Sequence, residues 1–298
     1  MMAERPALSI VLPLYNEAAA VGGLLAGLLP VLEATGESFE IVAVNDGSTD
    51  DSAAAVTAVA DPRIRLISHP YNMGNGAAVK TGIRAARGEW ILLMDADGQH
   101  KPADVPRLLA LRDRYDMVVG ARTKGSDTAV HRDVANAIYN RFASYVCGRR
   151  IDDLTSGFRL IRATLAKRLV FLLPNTFSYP TTLTLAVVRS GYSLAYVPIQ
   201  TGKRQGKSKI KLLRDGSRFF LILFKIATLF SPLKIFVPLS LLIFLLGLGY
   251  GGFKVLFLGT RYGPTSAMLM TIAVVIFLIG LVSEQITYLW YDDRGGER

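Results

Sequence analysis

Up to about residue 230 the chain alternates short apolar runs with charged residues, glycine and proline; beyond it, two long apolar stretches take over. The short runs have strand length. Leu8–Leu14 (LSIVLPL) predicts a buried strand, followed by a helix from about Ala18 to Ala34. Phe39–Val44 (FEIVAV) predicts a second strand, which ends at the polar turn NDGSTDDS and a helix over Ser52–Ala60. Ile64–Ser68 predicts a third; the glycine-rich turn YNMGNG then leads into a helix over Ala77–Ala86. Trp90–Met94 and Asp116–Gly120 predict the fourth and fifth strands. Strands alternating with helices imply an α/β domain with a mostly parallel sheet covered on both faces. Such sheets bind ligands beyond the carboxyl ends of their strands, and most of the polar clusters fall there.

The two long stretches, Leu233–Leu258 and Thr265–Trp290, each exceed the roughly 20 residues a helix needs to cross ~30 Å of hydrocarbon. A pair of buried core helices is the rival reading. Charge is too scarce for it: Lys234 and Lys254 near the ends of the first stretch, Glu284 in the last third of the second. With only GTRYGP between them, the spans predict a hairpin. An acid inside lipid is costly, so Glu284 marks either an interfacial or subunit contact or a side chain snorkelling to the headgroups. Before the spans, Lys209–Phe230 sets Lys211, Arg214, Asp215, Arg218 and Lys225 opposite Leu212, Leu213, Phe219, Phe220 and Leu223. That pattern predicts an amphipathic helix in the headgroup layer, with a helix packed on the domain as the alternative. The expected organisation is a sheet domain over 1–208, the juxtamembrane segment over 209–232 and the hairpin over 233–298.

Charge refines this picture. The net charge of +10 gathers in Lys203–Lys234, just before the first span, and the hairpin loop offers only Arg261. The positive-inside rule then puts both termini in the cytoplasm. Each Lys or Arg there gains about 1 kcal/mol from anionic lipid. No nucleic-acid-reading motif accompanies the charge, so nucleic acid is not an expected partner. The N-terminus lacks a basic region and a long apolar core and does not read as a signal peptide. A single cysteine, Cys147, excludes an internal disulfide and fits a reducing compartment.

Candidate chemistry centres on ILLMDADGQH, where an apolar strand delivers Asp95 and Asp97 and stops. Two carboxylates one residue apart suit a hard cation such as Mg²⁺ or Mn²⁺, which commonly completes its shell with substrate phosphates. A bare D-x-D is expected about once by chance at average aspartate usage; placement after the strand, with Gln99 and His100 following, raises its weight. PLYNE (Pro13–Glu17) ends the first strand and NDGS (Asn45–Ser48) the second, where an acid and a hydroxyl suit the base and ribose of a nucleotide. Helix N-capping by Asp46, Ser48 or Ser52 is the bland alternative. The NMGNG turn opens a helix whose N–H groups are expected to face phosphate. It fails as a dinucleotide fingerprint, because it follows the third strand and lacks the last glycine.

In order and spacing, VLPLYNE, VNDGSTDDS, NMGNGAAVKTG, DADGQH and DLTSGFR resemble family 2 glycosyltransferases, and within them the polyprenyl-phosphate sugar transferases related to dolichol-phosphate mannose synthase. The resemblance covers essentially the whole chain, including GKRQGKSK and the closing SEQITYLW of two-span bacterial members. It implies a GT-A-type, Rossmann-like domain. Pro13, Tyr15 and Glu17 would line the base, Asp46 would hold base or ribose, and Ser48, Asn72, Gly74, Lys80, Asp95 and Ala96 would complete the nucleotide-sugar site. Asp95, Asp97 and Gln99 would carry Mg²⁺ or Mn²⁺ and the diphosphate. Asp97, Asp153 and Arg122 would be catalytic, with Ser156, Gly157, Phe158 and Arg159 completing the loop of Asp153. Arg122, Arg132, Lys203, Arg204 and Ser208 would bind the acceptor phosphate. The family's arginine three residues before the glycine of its G-x-S-K segment is replaced here by Lys203 with Arg204 beside it, and lysine replaces a bidentate arginine imperfectly.

The implied reaction is an inverting transfer of one hexose from a UDP- or GDP-sugar to undecaprenyl or dolichyl phosphate at the cytoplasmic face of the inner membrane. A lipid monophosphate, with a second pKa near ~6, is already a nucleophile at neutral pH. Catalysis therefore rests on attraction and aim, and Asp153 either accepts a residual proton or orients an arginine. A processive polysaccharide synthase would need more spans and a Q-x-x-R-W motif, and neither is present. A non-catalytic sugar-nucleotide-binding membrane protein would not require Arg122, Arg132 and the basic segment beside an intact D-x-D. Two-span relatives suggest a homo-oligomer.

Overall fold

The computed structural model describes residues 5–123, 130–176, 178–202, 224, 228 and 231–292. The chain divides into two units, one formed by residues 1–144 and 149–210 and the other by residues 145–148 and 211–298.

The first unit is built on seven strands: β1 (Leu8–Leu14), β2 (Phe39–Asn45), β3 (Ile64–Ser68), β4 (Trp90–Leu93), β5 (Met117–Arg122), β6 (Arg159–Arg162) and β7 (Leu194–Ile199). They lie in the order β3-β2-β1-β4-β6-β5-β7. β1 pairs in parallel with β2 and β4, β2 with β3, and β5 with β7. β6 runs antiparallel between β4 and β5. Between the strands come α1 (Ala18–Ala34), α2 (Ser52–Thr57), α3 (Asn75–Ala85), α4 (Val105–Leu109), α5 (Val130–Cys147, whose last residues belong to the second unit), α6 (Ala163–Leu169) and α7 (Tyr179–Arg189).

The period-two alternation of β1 assigns its two faces. Leu8, Ile10, Leu12 and Leu14 join the core with Val21, Leu24, Leu25, Leu28 and Leu32 of α1. Val11 faces the other way, against Gly82 of α3, where any Cβ would lie 2.2 Å from the valine. Helices therefore cover both faces, and the central strands read as continuous apolar runs for that reason. Each fully buried leucine here contributes roughly 1.5–3 kcal/mol.

Most expected elements are present, and their edges differ for identifiable reasons. α2 ends at Thr57, because Ala60 turns the chain with φ 52° and the Asp61 carboxylate accepts from Arg63 N at 2.8 Å. α3 starts two residues earlier than its apolar periodicity predicts, at Asn75. β4 stops one residue early, at Leu93, and β5 runs on through Arg122, because it pairs with β7 as far as Ile199.

The second unit contains two long helices, α8 (Leu233–Leu258) and α9 (Pro264–Asp292). α8 and residues Pro264–Thr287 of α9 are long and apolar enough to cross a membrane. Glycines allow the helices to approach: at Gly247 a Cβ would lie 3.0 Å from Leu269, and at Gly280 2.6 Å from Phe236. Glu284 has a hydrogen-bond partner within the hairpin. Its Oε2 accepts from Leu233 N at 3.3 Å, supplying the first turn of α8 with the carboxylate its own cap residue, Pro232, lacks. The amphipathic segment expected over Lys209–Phe230 lies outside the described residues, apart from Phe224 and Thr228.

Candidate active site

The polar clusters converge on one edge of the sheet because of β6. Parallel strands β1, β2, β4 and β5 all end at this edge; β6, running the other way, begins there. Its preceding loop, Asp153–Phe158, is thus delivered to the place where β4 releases Asp95 and Asp97. The two meet tightly at Gly157, where a Cβ would lie 2.3 Å from Asp95 Oδ2.

Asp97 is buried, and its Oδ1 accepts from Gln99 N at 3.1 Å across Gly98, which has φ 74°. This short turn aims Gln99 back along the edge, where its carbonyl accepts from Gly202 N at 3.0 Å. Gly202, the last described residue before the basic side chains, is thereby held beside the turn that follows the two aspartates. Ala96 is buried between them. Among the described residues no cluster of three or more His, Cys, Asp or Glu forms a cation cage. The donor set is two hard carboxylates and an amide, with the rest of any shell left to a ligand and water, the arrangement typical of Mg²⁺ and its like. With glycine at 157, the Asp95 carboxylate keeps the space a side chain there would fill, so the residues fit a divalent ion.

Across from this pair, Arg122 and Asp153 form a bidentate bridge. Arg122 Nε donates to Asp153 Oδ2 at 2.8 Å and Nη2 to Oδ1 at 2.9 Å, while the Arg122 amide donates to Oδ2 at 3.1 Å. Thr155 N and Ser156 N each donate to Oδ1 at 3.1 Å, and Arg122 Nη2 also reaches Thr155 Oγ1 at 2.5 Å. Burial pushes the Asp153 carboxyl up, but the hydrogen bonds and charge of Arg122 outweigh it and hold the group below the ordinary carboxylate range. Such a group is ionised at neutral pH, and both its oxygens are engaged by donors from Arg122 and its own loop.

Two further residues complete this half. Arg159 is wholly buried: Nε and Nη2 both donate to the Ser156 carbonyl, and Nη1 to Pro180 O and Thr184 Oγ1 at 2.9 and 3.0 Å. It pins the loop from behind. His100 lies between the halves, stacked on Phe158 with ring centroids 5.1 Å apart. Burial lowers its pKa to about 4, so the ring is neutral. The sequence named His100 by its place after the aspartates and gave no sign of its burial.

At the other end of the edge, the loops after β1 and β2 are laced together. Ser48 Oγ accepts from Asn16 N at 3.0 Å, Ser52 Oγ from Glu17 N at 2.8 Å and Asp50 Oδ2 from Ala18 N at 3.1 Å. Pro13 is in β1, Tyr15 and Glu17 follow it half-buried. Lys80 is half-buried on α3, its pKa lowered by burial and by Arg84. Asp46 is 2% exposed and accepts from Met73 N and Gly74 N, both at 2.9 Å, and from His69 Nδ1 at 2.8 Å.

The glycine-rich turn departs from its expected use. The amides of Met73 and Gly74 go to Asp46, and the helix N-terminus is closed by protein: Ala77 N donates to Asn175 O at 3.3 Å. A Cβ on Gly74 or Gly76 would meet backbone oxygens of Asn175 or Pro174 at 2.2 and 2.1 Å. The turn makes room for the 174–176 segment, and its glycines are explained by that close approach. Asn72 is exposed beside it. Of the remaining expected residues, Arg132 lies in α5 with its side chain outside the described set, and Lys203, Arg204 and Ser208 lie outside the described residues.

Comparison with known proteins agrees with this architecture. The model of the family "Glycosyl transferase family 2" matches residues 9–170, and that of the "GtrB C-terminal hairpin" matches residues 231–289. An undecaprenyl-phosphate 4-deoxy-4-formamido-L-arabinose transferase of Klebsiella pneumoniae is 26% identical over 97% of this chain and 91% of its own. The enzyme of that name from Shewanella sediminis is 27% identical over 97% and 90%. Among solved structures, glucosyl-3-phosphoglycerate synthase from Mycobacterium tuberculosis with Mn²⁺ and UDP-glucose superposes with a TM-score of 0.58 at 20% identity, over 74% of this chain and 79% of that one. The sheet order, the Asp95–Asp97 strand end and the family match over more than half of the chain lead to one conclusion: this protein is a member of glycosyl transferase family 2, carrying a C-terminal apolar hairpin.

Proposed function

We propose that the protein transfers one hexose from a nucleotide sugar to a polyprenyl phosphate at the cytoplasmic face of the inner membrane, with inversion at the sugar carbon. The observation that carries this reading is the meeting, on one sheet edge, of the Asp95–Asp97 strand end and the Arg122–Asp153 pair. One half suits a sugar nucleotide and the other an anionic acceptor. The relatives named above act on undecaprenyl phosphate, and a hairpin of two membrane-length helices supports a lipid acceptor over a soluble one. The fold neighbour's UDP-glucose favours a UDP-linked donor.

In this reading Asp95, Asp97 and Gln99 would hold Mg²⁺ or Mn²⁺, and a bound ion supplies positive charge to the departing nucleotide diphosphate. The chain's own residues do the rest. Pro13, Tyr15 and Glu17, with Ser48 and Lys80 nearby, line the nucleotide end. Asp46 serves it indirectly, by shaping the turn at Asn72–Gly74. Asp153 fixes the plane and direction of the Arg122 guanidinium, so the acceptor phosphate meets an arginine already aimed, with little ordering left to do at binding. The acceptor needs no strong base: near neutral pH it is mostly dianionic. Arg132, Lys203, Arg204 and Ser208 add cationic and hydroxyl contacts to the same phosphate, and the basic segment and hairpin keep the site at headgroup height with both termini cytoplasmic.

The test is direct. Membranes containing the protein, given radiolabelled nucleotide sugars, are expected to move label into a butanol-extractable, mild-acid-labile lipid. Label in soluble polymer, or binding without turnover, would replace this reading with a synthase or a sensor.

A further inference from the structure

His100 has two nitrogens and, among the described residues, spends neither on an ordinary hydrogen bond. It is 7% exposed, and its Nδ1 is buried without a partner among the described residues. Its Nε2 faces Asp95 Oδ2 at 4.0 Å, just beyond hydrogen-bond reach. A phenylalanine would stack on Phe158 as well and avoid an orphaned buried nitrogen, which costs about 1–3 kcal/mol. The site therefore has a use for the imidazole that packing does not supply. The two nitrogens also decide its tautomer. An orphaned lone pair is cheaper to bury than an orphaned N–H, and a carboxylate facing Nε2 calls for a donor there.

Resting on the transferase reading above, we propose that His100, as its Nε2–H tautomer, is a positioning residue for the divalent-cation site. It donates to Asp95 when that carboxylate closes on a cation, and so selects which carboxylate oxygen meets the ion. Ligating carboxylates are generally held by outer hydrogen bonds of this kind, whose loss costs 10–100-fold in metal affinity. Because the same ring stacks on Phe158, two residues after Asp153's amide partner Ser156, it also ties the carboxylate's orientation to the loop that positions Arg122.

The experiment titrates Mn²⁺ into the purified full-length protein with UDP present, reading free Mn²⁺ by electron paramagnetic resonance, with melting temperature followed in parallel. His100→Phe keeps the stack and removes the donor: its Mn²⁺ affinity is expected to fall 10–100-fold without loss of melting temperature. The pair His100→Gln and His100→Met has equal length with and without a donor. It carries the test if the phenylalanine variant folds poorly, Gln being expected to bind at least about fivefold more tightly than Met. Wild-type affinity in His100→Phe, or equal affinities in Gln and Met, overturns the proposal. Asp97→Asn separates the two levels of the argument. If it binds Mn²⁺ as wild type does, the metal reading fails and this proposal with it; if it loses Mn²⁺ while His100→Phe does not, only the proposal fails.

Discussion

Replacing Asp153 by asparagine tests whether this residue aims an arginine or removes a proton. The substitution keeps the shape and deletes the charge. In the native site Oδ2 receives two donors from Arg122, and Oδ1 receives Arg122 Nη2 together with the amides of Thr155 and Ser156. Whichever way the asparagine is placed, its NH₂ group confronts N–H donors. Breaking a buried ion pair costs about 3–5 kcal/mol. Arg122 is 27% exposed and recovers some water, so the lower end applies. A loss of about 3 kcal/mol corresponds to a melting temperature lower by roughly 6–12 °C in a domain of this size. The pH dependence follows from the depressed carboxyl. The native group binds its proton less readily than the unfolded one, so its stabilisation is complete above the unfolded pKa of about 3.9 and is lost as pH falls through the lower native value. The wild type should therefore lose stability in acid more steeply than Asp153→Asn. The kinetic readout is turnover against acceptor concentration and pH. An aimed arginine predicts that Asp153→Asn raises the acceptor KM at least tenfold and leaves the shape of the pH profile intact, its acid limb set by the acceptor phosphate near pH ~6. A drop of 10²–10⁴ in kcat at unchanged KM, with the acid limb abolished, would show general-base catalysis and refute the argument.

Three further outcomes are expected. Asp97→Asn should abolish label transfer to lipid, and excess chelator should do the same to the wild type; near-normal turnover in either case would remove the metal from the scheme. Gly157→Ala places a methyl 2.3 Å from Asp95 Oδ2, so Mn²⁺ affinity should fall at least tenfold while circular dichroism stays native, with donor KM rising in steady-state assays. Glu284→Leu removes the acceptor for Leu233 N, and Glu284→Gln keeps one. The leucine variant should melt earlier in detergent by an amount equivalent to about 0.6–2 kcal/mol, the range for hydrogen bonds between membrane helices, and glutamine should restore most of it.

Local pattern carried the first five strands, the three helices that separate the first four of them, the membrane-length stretches and the strand end at Asp95 and Asp97; it gave neither β6 and β7 nor the helices from α4 to α7. The features it carried depend on side-chain period, run length and turn residues, which lie within a few positions of one another. The resemblance in DLTSGFR pointed to Asp153 as well, but left its role open between base and orienter. Its burial and the donors it receives from Arg122, Thr155 and Ser156 favour the orienter, the role that Asp153→Asn tests, and no residue within a few positions of Asp153 announces Arg122, 31 residues earlier. The glycine-rich turn misled for the same reason: free helix-start amides are a local expectation, while their capture by Asp46 and Asn175 joins segments distant in sequence. Glu284 offered a cost without a partner until Leu233, 51 residues away, supplied one.

What the sequence determined alone is the parts: an alternating α/β domain, a pair of acids at the end of a buried strand, and two helices too long and too apolar for an ordinary core. What the tertiary structure decided is which parts meet. The short strand Arg159–Arg162 runs against its neighbours, and its direction turns a loop that would otherwise lie at the far edge toward the aspartates. Strand direction is fixed by how the chain crosses the sheet and what its pairing buries, a property of contacts made between distant segments, and four residues of local pattern do not encode it.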